Sequence, residues 1–171
     1  MNRIFICNLE KYNEGKLVGG WYELGQDDTV LEKFLREVVE IDNEQEYFIS
    51  DTDLEDIELD IPEYENIEEL NIAFREYESL YRCDRELVQA ILELGIETNL
   101  QEAIDTRKNF ILLENVLTDY DLGYYYAELS GCYVTADMGN LANYIDYQAF
   151  GKDIDIESEG GFTSYGYLMK N

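Results

Sequence analysis

The sequence contains no histidine, and its 171 residues include a single proline, Pro62. Without histidine, neither a Ser-His-Asp nor a Cys-His catalytic arrangement can form, and no imidazole is available as a metal ligand. The glycines match neither the G-x-x-x-x-G-K-[ST] nor the G-x-G-x-x-G pattern, so no phosphate-binding loop is predicted. These absences exclude many common hydrolases and argue against nucleotide chemistry.

Cysteines are few, and long apolar runs are missing. Cys7, Cys83 and Cys132 are far apart without C-x-x-C spacing, which argues against a disulfide framework or a zinc site and predicts reduced, mostly buried thiols. The first ten residues hold only four consecutive apolar residues, too few for a signal peptide or a membrane span. We therefore expect a soluble, cytoplasmic protein.

Basic side chains are scarce, with 12 Lys and Arg against 39 Asp and Glu, a net charge of −27 and a pI near 4.1. Residues 1–61 carry 17 acids and 5 bases, residues 62–105 carry 12 and 3, and residues 106–171 carry 10 and 4. The acidity is therefore spread along the chain. Such a field repels nucleic acid and membranes and attracts basic grooves, while the 46% hydrophobic content predicts a folded protein.

Acid-rich loops raise the question of a calcium site or a carboxylate-based active site. In "DTDLEDIELDIP", residues 51–62, Asp56 replaces the EF-hand glycine and Pro62 replaces the bidentate glutamate. Residues 119–130 and 153–164 depart from the motif at the same two positions. A pair of carboxylates suitable for acid-base catalysis arises by chance among so many acids. A carboxylate- or metal-dependent hydrolase remains an alternative to a solvated charged face, and we assign no catalytic residue, metal or cofactor.

The periodicity predicts an α+β protein that begins with a small sheet. "RIFICNLE" and "KLVGGWYEL" read as antiparallel strands joined by a turn at "KYNEG", with a bulge or a close backbone approach at Gly19 and Gly20. A helix capped by Asp27 or Asp28 follows, and "EYFISD" returns as a third strand. The proline suggests a boundary, which defines a mixed α/β domain over residues 1–61.

Helical signals dominate residues 62–105, where Asn66 with Glu69 and Asn99 with Glu102 have capping spacing and Gly95 marks a helix end. Residues 106–171 are predicted to be mixed again, with strands at "NFILLE" and "GFTSYGYLM". Between these strands we expect one helix ending at Gly131 and another, "NLANYIDYQAF", ending at Gly151.

Two longer stretches resemble the best-known sequence blocks of ArdA-type antirestriction proteins. They are "NLEKYNEGKLVGGWYEL", residues 8–24, and "NYIDYQAFGKDIDI", residues 143–156. The matching residues are Asn8, Tyr12, Asn13, Gly15, Leu17, Val18, Gly19 and Trp21 in the first block, and Asn143, Tyr144, Asp146, Tyr147, Ala149, Gly151, Asp153 and Asp155 in the second.

The resemblance implies a non-enzymatic DNA mimic that occupies the DNA-binding groove of type I restriction-modification enzymes, at their methyltransferase and specificity core. It would protect incoming mobile DNA in a bacterial cytoplasm. It also implies an elongated chain of three small domains that forms a homodimer through its C-terminal domain. An acidic binding module for another basic DNA-binding protein remains the alternative.

The candidate mimic surface consists of acids expected on helix faces and in the last domain. They are Asp27, Asp28, Glu32, Glu37, Glu65, Glu68, Glu69, Glu76, Glu78, Asp119, Asp121, Asp153 and Asp155. Beyond Gly151 we expect an extended segment with Asp153 and Asp155 on one side. Tyr144, Tyr147 and Phe150 are the candidate dimer contacts.

Overall fold

The computed structural model describes residues 1–41, 46–55, 57–132 and 135–171. Helices and antiparallel sheets are both present, which confirms the predicted α+β class. The chain forms two compact units, one made of residues 1–85 and 97–104 and the other of residues 86–96 and 105–171. The three-domain division made from the sequence remains a prediction.

The first unit contains a three-stranded antiparallel sheet with strand order β2, β1, β3. In chain order, the elements up to residue 109 are β1 Arg3–Asn8, α1 Leu9–Asn13, β2 Gly19–Glu23, α2 Asp28–Glu37, β3 Tyr47–Asp53, α3 Ile67–Ser79, α4 Arg82–Glu93, α5 Leu100–Thr106 and a 3-10 turn Arg107–Asn109. Ile4 and Ile6 are fully buried while Phe5 between them is half-buried, which is the alternation of a strand with one face on the core. All three predicted strands of this sheet are confirmed.

Asn8 organises the connection between β1 and β2. Its side-chain oxygen accepts a hydrogen bond from the Lys11 amide at 3.0 Å, and its amide donates to the carbonyls of Val39 and Glu40 at 3.1 and 3.2 Å. Because Asn8 caps a helix here, α1 occupies Leu9–Asn13 of the connection. The predicted turn is therefore confined to the end of the connection, where Gly15 adopts φ +80°, while the predicted antiparallel pairing of β1 and β2 is confirmed. Gly19 allows the predicted close approach, since a Cβ there would lie 2.2 Å from the Ile6 carbonyl oxygen.

Helix caps in the first unit follow the sequence signals. The Asp27 side chain accepts from the Thr29 amide at the start of α2. Asn66 accepts from the amides of Glu68 and Glu69 at the start of α3. Satisfying these orphan amides stabilises a helix end by about 1 kcal/mol for a typical cap. The predicted caps are confirmed, as is the helical character of residues 62–105.

The second unit contains a three-stranded antiparallel sheet with strand order β4, β6, β5. Its remaining elements are β4 Phe110–Glu114, α6 Asp119–Tyr124, a π-helical turn Tyr125–Leu129, a 3-10 segment Thr135–Tyr144, α7 Tyr147–Glu157, β5 Gly161–Thr163 and β6 Gly166–Lys170. Val116, Leu122 and Tyr167 form its buried cluster. The single strand predicted over "GFTSYGYLM" is a hairpin, since β5 pairs with β6 and Gly166 adopts φ +146°.

The prediction that Gly151 ends a helix is wrong. Gly151 lies inside α7, whose N-cap is Asp146, and it is buried where α7 crosses α6. A Cβ on Gly151 would lie 1.7 Å from the Asp119 carbonyl oxygen, and one on Gly123 would lie 1.9 Å from the Tyr147 carbonyl oxygen. The two glycines are therefore packing contacts that bring the two helix backbones together.

The predicted environment of the thiols is also corrected. All three cysteines are free, but only Cys7 is buried, whereas Cys83 and Cys132 are exposed. Cys7 lies on β1 with its side chain in the core. The prediction of buried thiols came from the residue type alone. Burial depends on whether a residue lies on the apolar face of its strand or helix, and neither Cys83 nor Cys132 does.

Candidate protein-interaction surface

The acids on and just before helix α2 differ in the hydrogen bonds and ion pairs that they form within the fold. Asp27, Asp28, Glu32 and Glu37 are all exposed. Hydrogen bonds from the backbone and side chain of Thr29 hold the pKa of Asp27 below its usual range. Asp28 forms an ion pair with Arg75, which raises the pKa of that guanidinium. The Asp28 charge is thus partly balanced by the Arg75 guanidinium, while the lowered pKa of Asp27 favours its charged form.

Glu37 is the other α2 acid with basic neighbours. Lys33 Nζ and Arg36 Nη2 each lie 3.9 Å from a Glu37 carboxylate oxygen. Exposed pairs at this separation contribute about 0–1 kcal/mol. Such loose pairs leave the Glu37 carboxylate able to turn toward an incoming cation.

Helix α3 presents acids along its exposed side. Glu68 and Glu69 lie in its first turn, where the helix dipole favours negative charge. Glu76 accepts a hydrogen bond from Gln101 Nε2 at 3.1 Å. Glu65 is half-buried, and its carboxylate accepts from the Asn66 amide at 3.2 Å.

Glu78 completes the α3 group and lies near the end of the helix. Its side chain is exposed. A Cβ on Gly25 would lie 2.8 Å from its Oε2 atom. The α3 acids therefore combine outward-facing carboxylates with others held by local contacts.

The acids of the second unit also have structural partners. Asp121 Oδ2 accepts from Thr118 Oγ1 at 2.7 Å and from the Leu117 amide at 3.2 Å, while Thr118 Oγ1 accepts from the Asp121 amide. This reciprocal arrangement caps α6. Asp119 and Asp121 are both half-buried. A substitution at Asp121 will therefore affect folding as well as charge.

The predicted extended arrangement of Asp153 and Asp155 is wrong, because both residues lie on α7. Residues two apart on a helix point in different directions. Asp153 is exposed, whereas Asp155 is half-buried and its Oδ1 atom accepts from the Tyr167 hydroxyl at 2.9 Å. The prediction of a shared acidic side required a helix end at Gly151, and the helix continues past it.

Sequence reasoning missed exposed acids outside helices. Between residues 57 and 63, Glu58, Asp60 and Glu63 are exposed while Ile57 is buried and Leu59 is half-buried. The alternation of apolar and acidic residues in "IELDIPE" was the available signal. It places one side of an extended segment on the core and leaves carboxylates on the other.

The candidate dimer contacts have very different surroundings. Tyr144 is 83% exposed, whereas Tyr147 is half-buried and makes edge contacts with the rings of Tyr120 and Tyr124 at 5.5 and 5.4 Å. The Tyr147 hydroxyl donates to Glu128 at 2.8 Å, and this bond raises the pKa of Tyr147 to about 12. Tyr147 is therefore part of an intramolecular aromatic cluster.

Phe150, the third candidate dimer contact, is half-buried on α7, one turn beyond Asp146, whose carbonyl accepts from the Phe150 amide at 3.0 Å. Tyr144 ends the 3-10 segment before α7. The single helix predicted from residue 141 is therefore replaced by two segments, and Tyr144 does not share a helix with Tyr147 and Phe150.

Within the described ranges, no group of three or more His, Cys, Asp or Glu residues could hold a metal ion. Asp56, which figured in the calcium comparison, lies outside the described residues. In the part of the chain that the structure describes, no helix has the length and apolar character needed to cross a membrane.

The fold and its exposed carboxylates define an acidic α+β protein whose surface suits a basic protein partner. Residues 4–169 match the family described as "Antirestriction protein (ArdA)", and the chain belongs to that family. The resemblance drawn from the two sequence blocks is thus confirmed, and the match also covers the residues between them. As an antirestriction protein, the chain acts against restriction-modification enzymes. No curated protein matches the chain at a significant level.

Proposed function

We propose that the protein is a non-enzymatic DNA mimic that occupies the DNA-binding groove of a type I restriction-modification enzyme, at its methyltransferase and specificity core. The observation that carries the proposal is the exposure of carboxylates in both compact units, including Asp27, Glu32, Glu68 and Asp153. Bound in this way, the protein would protect incoming mobile DNA in the bacterial cytoplasm.

The amount of charge is suited to mimicry. Duplex DNA carries one charge per about 1.7 Å of its axis, so the net charge of −27 corresponds to about 46 Å of duplex, or about 14 base pairs. Packed as a single globule, a chain of this length would have a radius of gyration of about 16 Å. Crowding the charges in that way would raise their mutual repulsion, whereas spacing them as DNA spaces its phosphates lowers it.

Carboxylates can replace phosphates because both accept hydrogen bonds from arginine and lysine. Arginine binds either group through two parallel N–H bonds. Acids at helical spacing have Cβ atoms about 5–6 Å apart, comparable with the separation of phosphates along a DNA strand. Such a surface needs correctly spaced charge and no reacting group.

Formation of a homodimer through the C-terminal part is included in the proposal. Tyr144 and Leu141 are 83% and 67% exposed, and Ile156 on α7 is 70% exposed. Contiguous exposed apolar and aromatic side chains are typical of interaction surfaces, and these three residues all belong to the C-terminal part of the chain. Tyr144, Tyr147 and Phe150 are the proposed contacts, and a dimer would double the length of DNA that the charge imitates.

A competition experiment tests the function. The purified protein should displace a labelled DNA duplex from a type I methyltransferase, and its own affinity for the enzyme should fall as ionic strength rises. The physical reason is screening, since the Debye length falls from about 30 Å at 0.01 M salt to about 8 Å at 0.15 M. Displacement from an unrelated basic DNA-binding protein with equal affinity would favour the alternative of a general acidic binding module.

Charge-neutralising variants test whether the binding is distributed. Glu32→Gln, Glu68→Gln and Asp153→Asn each remove one exposed charge, and each should weaken binding by about threefold or less, while the triple variant combines their effects. Lys33→Gln is the matched control, because it removes an opposite charge beside Glu32 and should not weaken binding. Loss of all inhibition through one of these changes, with the others silent, would contradict distributed mimicry.

A further inference from the structure

The first unit contains an open groove with a volume of about 590 Å³. Its walls come from the extended segment 59–62, from α3 and its N-terminal approach, and from the start of α5. A hydrogen bond between Glu76 on α3 and Gln101 on α5 joins two of these walls. A space of this size lies within the range of about 300–1,000 Å³ that is usual for ligand sites.

The lining of the groove combines buried apolar residues with exposed carboxylates. Apolar side chains line it from all three walls: Leu59, Ile61, Leu70, Ile72, Ala73 and Leu100. The other lining residues include three carboxylates, Asp60, Glu65 and Glu69, and no lysine or arginine is present among the described residues of the lining.

Part of this apolar lining is exposed to solvent, since 48% of the surface of Ile72 is exposed. An exposed carboxylate surface needs no apolar floor to imitate phosphate. The acidic mimic surface therefore does not explain the groove.

We infer that the groove binds a short segment of the partner protein in which an apolar side chain is flanked by lysine or arginine. The apolar side chain would contact Ile72 and the buried floor, while the flanking cations would face Asp60 and Glu69. Charge complementarity selects this occupant, since an acidic or purely apolar segment would place no cation opposite the rim.

This contact has a consequence that mimicry of DNA alone does not have. Burial of apolar surface does not depend on screening, so it persists at ionic strengths that weaken charge pairing. Only the identity of the partner rests on the proposed function. The groove and its preference for a basic, apolar segment can be tested without the restriction enzyme.

Two synthetic peptides provide the probe. In one, leucines recur at helical spacing among lysines, and in the other serine replaces every leucine at the same charge. In about 0.5 M salt, where the Debye length is about 4 Å, the leucine peptide should bind at least about 10-fold more tightly. Hydrogen exchange should slow within segments 59–62 and 98–101. Equal affinity of the two peptides, or protection elsewhere only, would overturn the inference.

Ile72→Ser should reduce binding of the leucine peptide by about fivefold or more. Val30→Ser on α2 is the matched control, since Val30 is 46% exposed and lies outside the groove. It should leave binding unchanged. Because both sites are exposed, both variants should retain the helical circular dichroism of the parent protein. Equal peptide affinity for Ile72→Ser and Val30→Ser would remove the groove from the binding site.

The same pair of variants separates this inference from the proposed function. If the parent protein displaces DNA from the methyltransferase but Ile72→Ser does so equally well at every salt concentration, mimicry holds and the enzyme does not use the groove. If the parent protein fails to displace DNA while the peptide preference is observed, the proposed function fails and the groove remains a site for a different basic partner.

Discussion

Replacing Gly151 by alanine tests the close packing of α6 against α7. The new Cβ atom would lie 1.7 Å from the Asp119 carbonyl oxygen and 2.7 Å from both the Asp119 carbonyl carbon and the Gly123 nitrogen. Favourable contacts between carbon atoms lie at about 3.5–4.0 Å, so the helix backbones must separate by more than about 1 Å. All three obstructing atoms belong to the backbone, so no side chain can rotate to relieve the clash.

Two effects of opposite sign determine the expected result. Overpacking costs about 1–3 kcal/mol, and a backbone clash belongs at the upper end of that range. Alanine in place of glycine inside a helix contributes about 1 kcal/mol of stability. The net loss is therefore about 2 kcal/mol, which lowers Tm by about 4–8 °C for a chain of this size.

Thermal unfolding followed by circular dichroism measures this change. Gln148→Ala provides the control, since Gln148 is exposed on the same helix and should alter stability by about 0.5 kcal/mol or less. A higher Tm for Gly151→Ala would show that helix propensity outweighs packing, and the close crossing would then be refuted. Gly123→Ala should behave like Gly151→Ala, because its Cβ would meet the other side of the same contact.

Two further predictions concern the tyrosines and the dimer. The pKa values of Tyr22, Tyr147 and Tyr167 are raised to about 12 in the folded protein. The unfolded chain therefore releases these protons at lower pH, near the usual tyrosine pKa of about 10. As a result, the free energy of unfolding should not change through these groups below about pH 10 and should fall between about pH 10 and 12. Tyrosinate absorbance should therefore rise together with unfolding, and complete ionisation in a still-folded protein would contradict this. In sedimentation experiments, Tyr147→Ala or Phe150→Ala should weaken dimerisation more than Asp153→Asn, and the reverse order would discard the proposed contacts.

Several features of the fold could be predicted because their signals are local. Asn66 accepts from amides two and three residues ahead, so its cap depends only on neighbouring residues. The strands around Ile4 and Ile6 follow from alternation within a few positions. The first block of family residues is one continuous stretch of sequence, so it too could be recognised locally. Within it, Asn8 donates a hydrogen bond to the Val39 carbonyl and Gly19 allows close approach of the β1 backbone.

The acidic surface could be predicted only as a distribution of charge. Asp27 and Glu32 are exposed as expected, because polar residues opposite the apolar side of a helix face water. The pairing of Asp28 with Arg75 joins residues 47 positions apart, and no local pattern indicates it. The hydrogen bond between Asp155 and Tyr167 likewise depends on how α7 packs against the sheet.

The sequence by itself determined the charge of the protein, its helix caps, most of its strands and its family. These features depend on composition or on residues within a few positions of one another. Only the tertiary structure decided the role of Gly151. The residue has the local appearance of a helix end, yet it lies at the point where two helix backbones meet. The apolar groove was decided in the same way, since its walls come from separate segments whose meeting depends on packing and not on neighbouring residues.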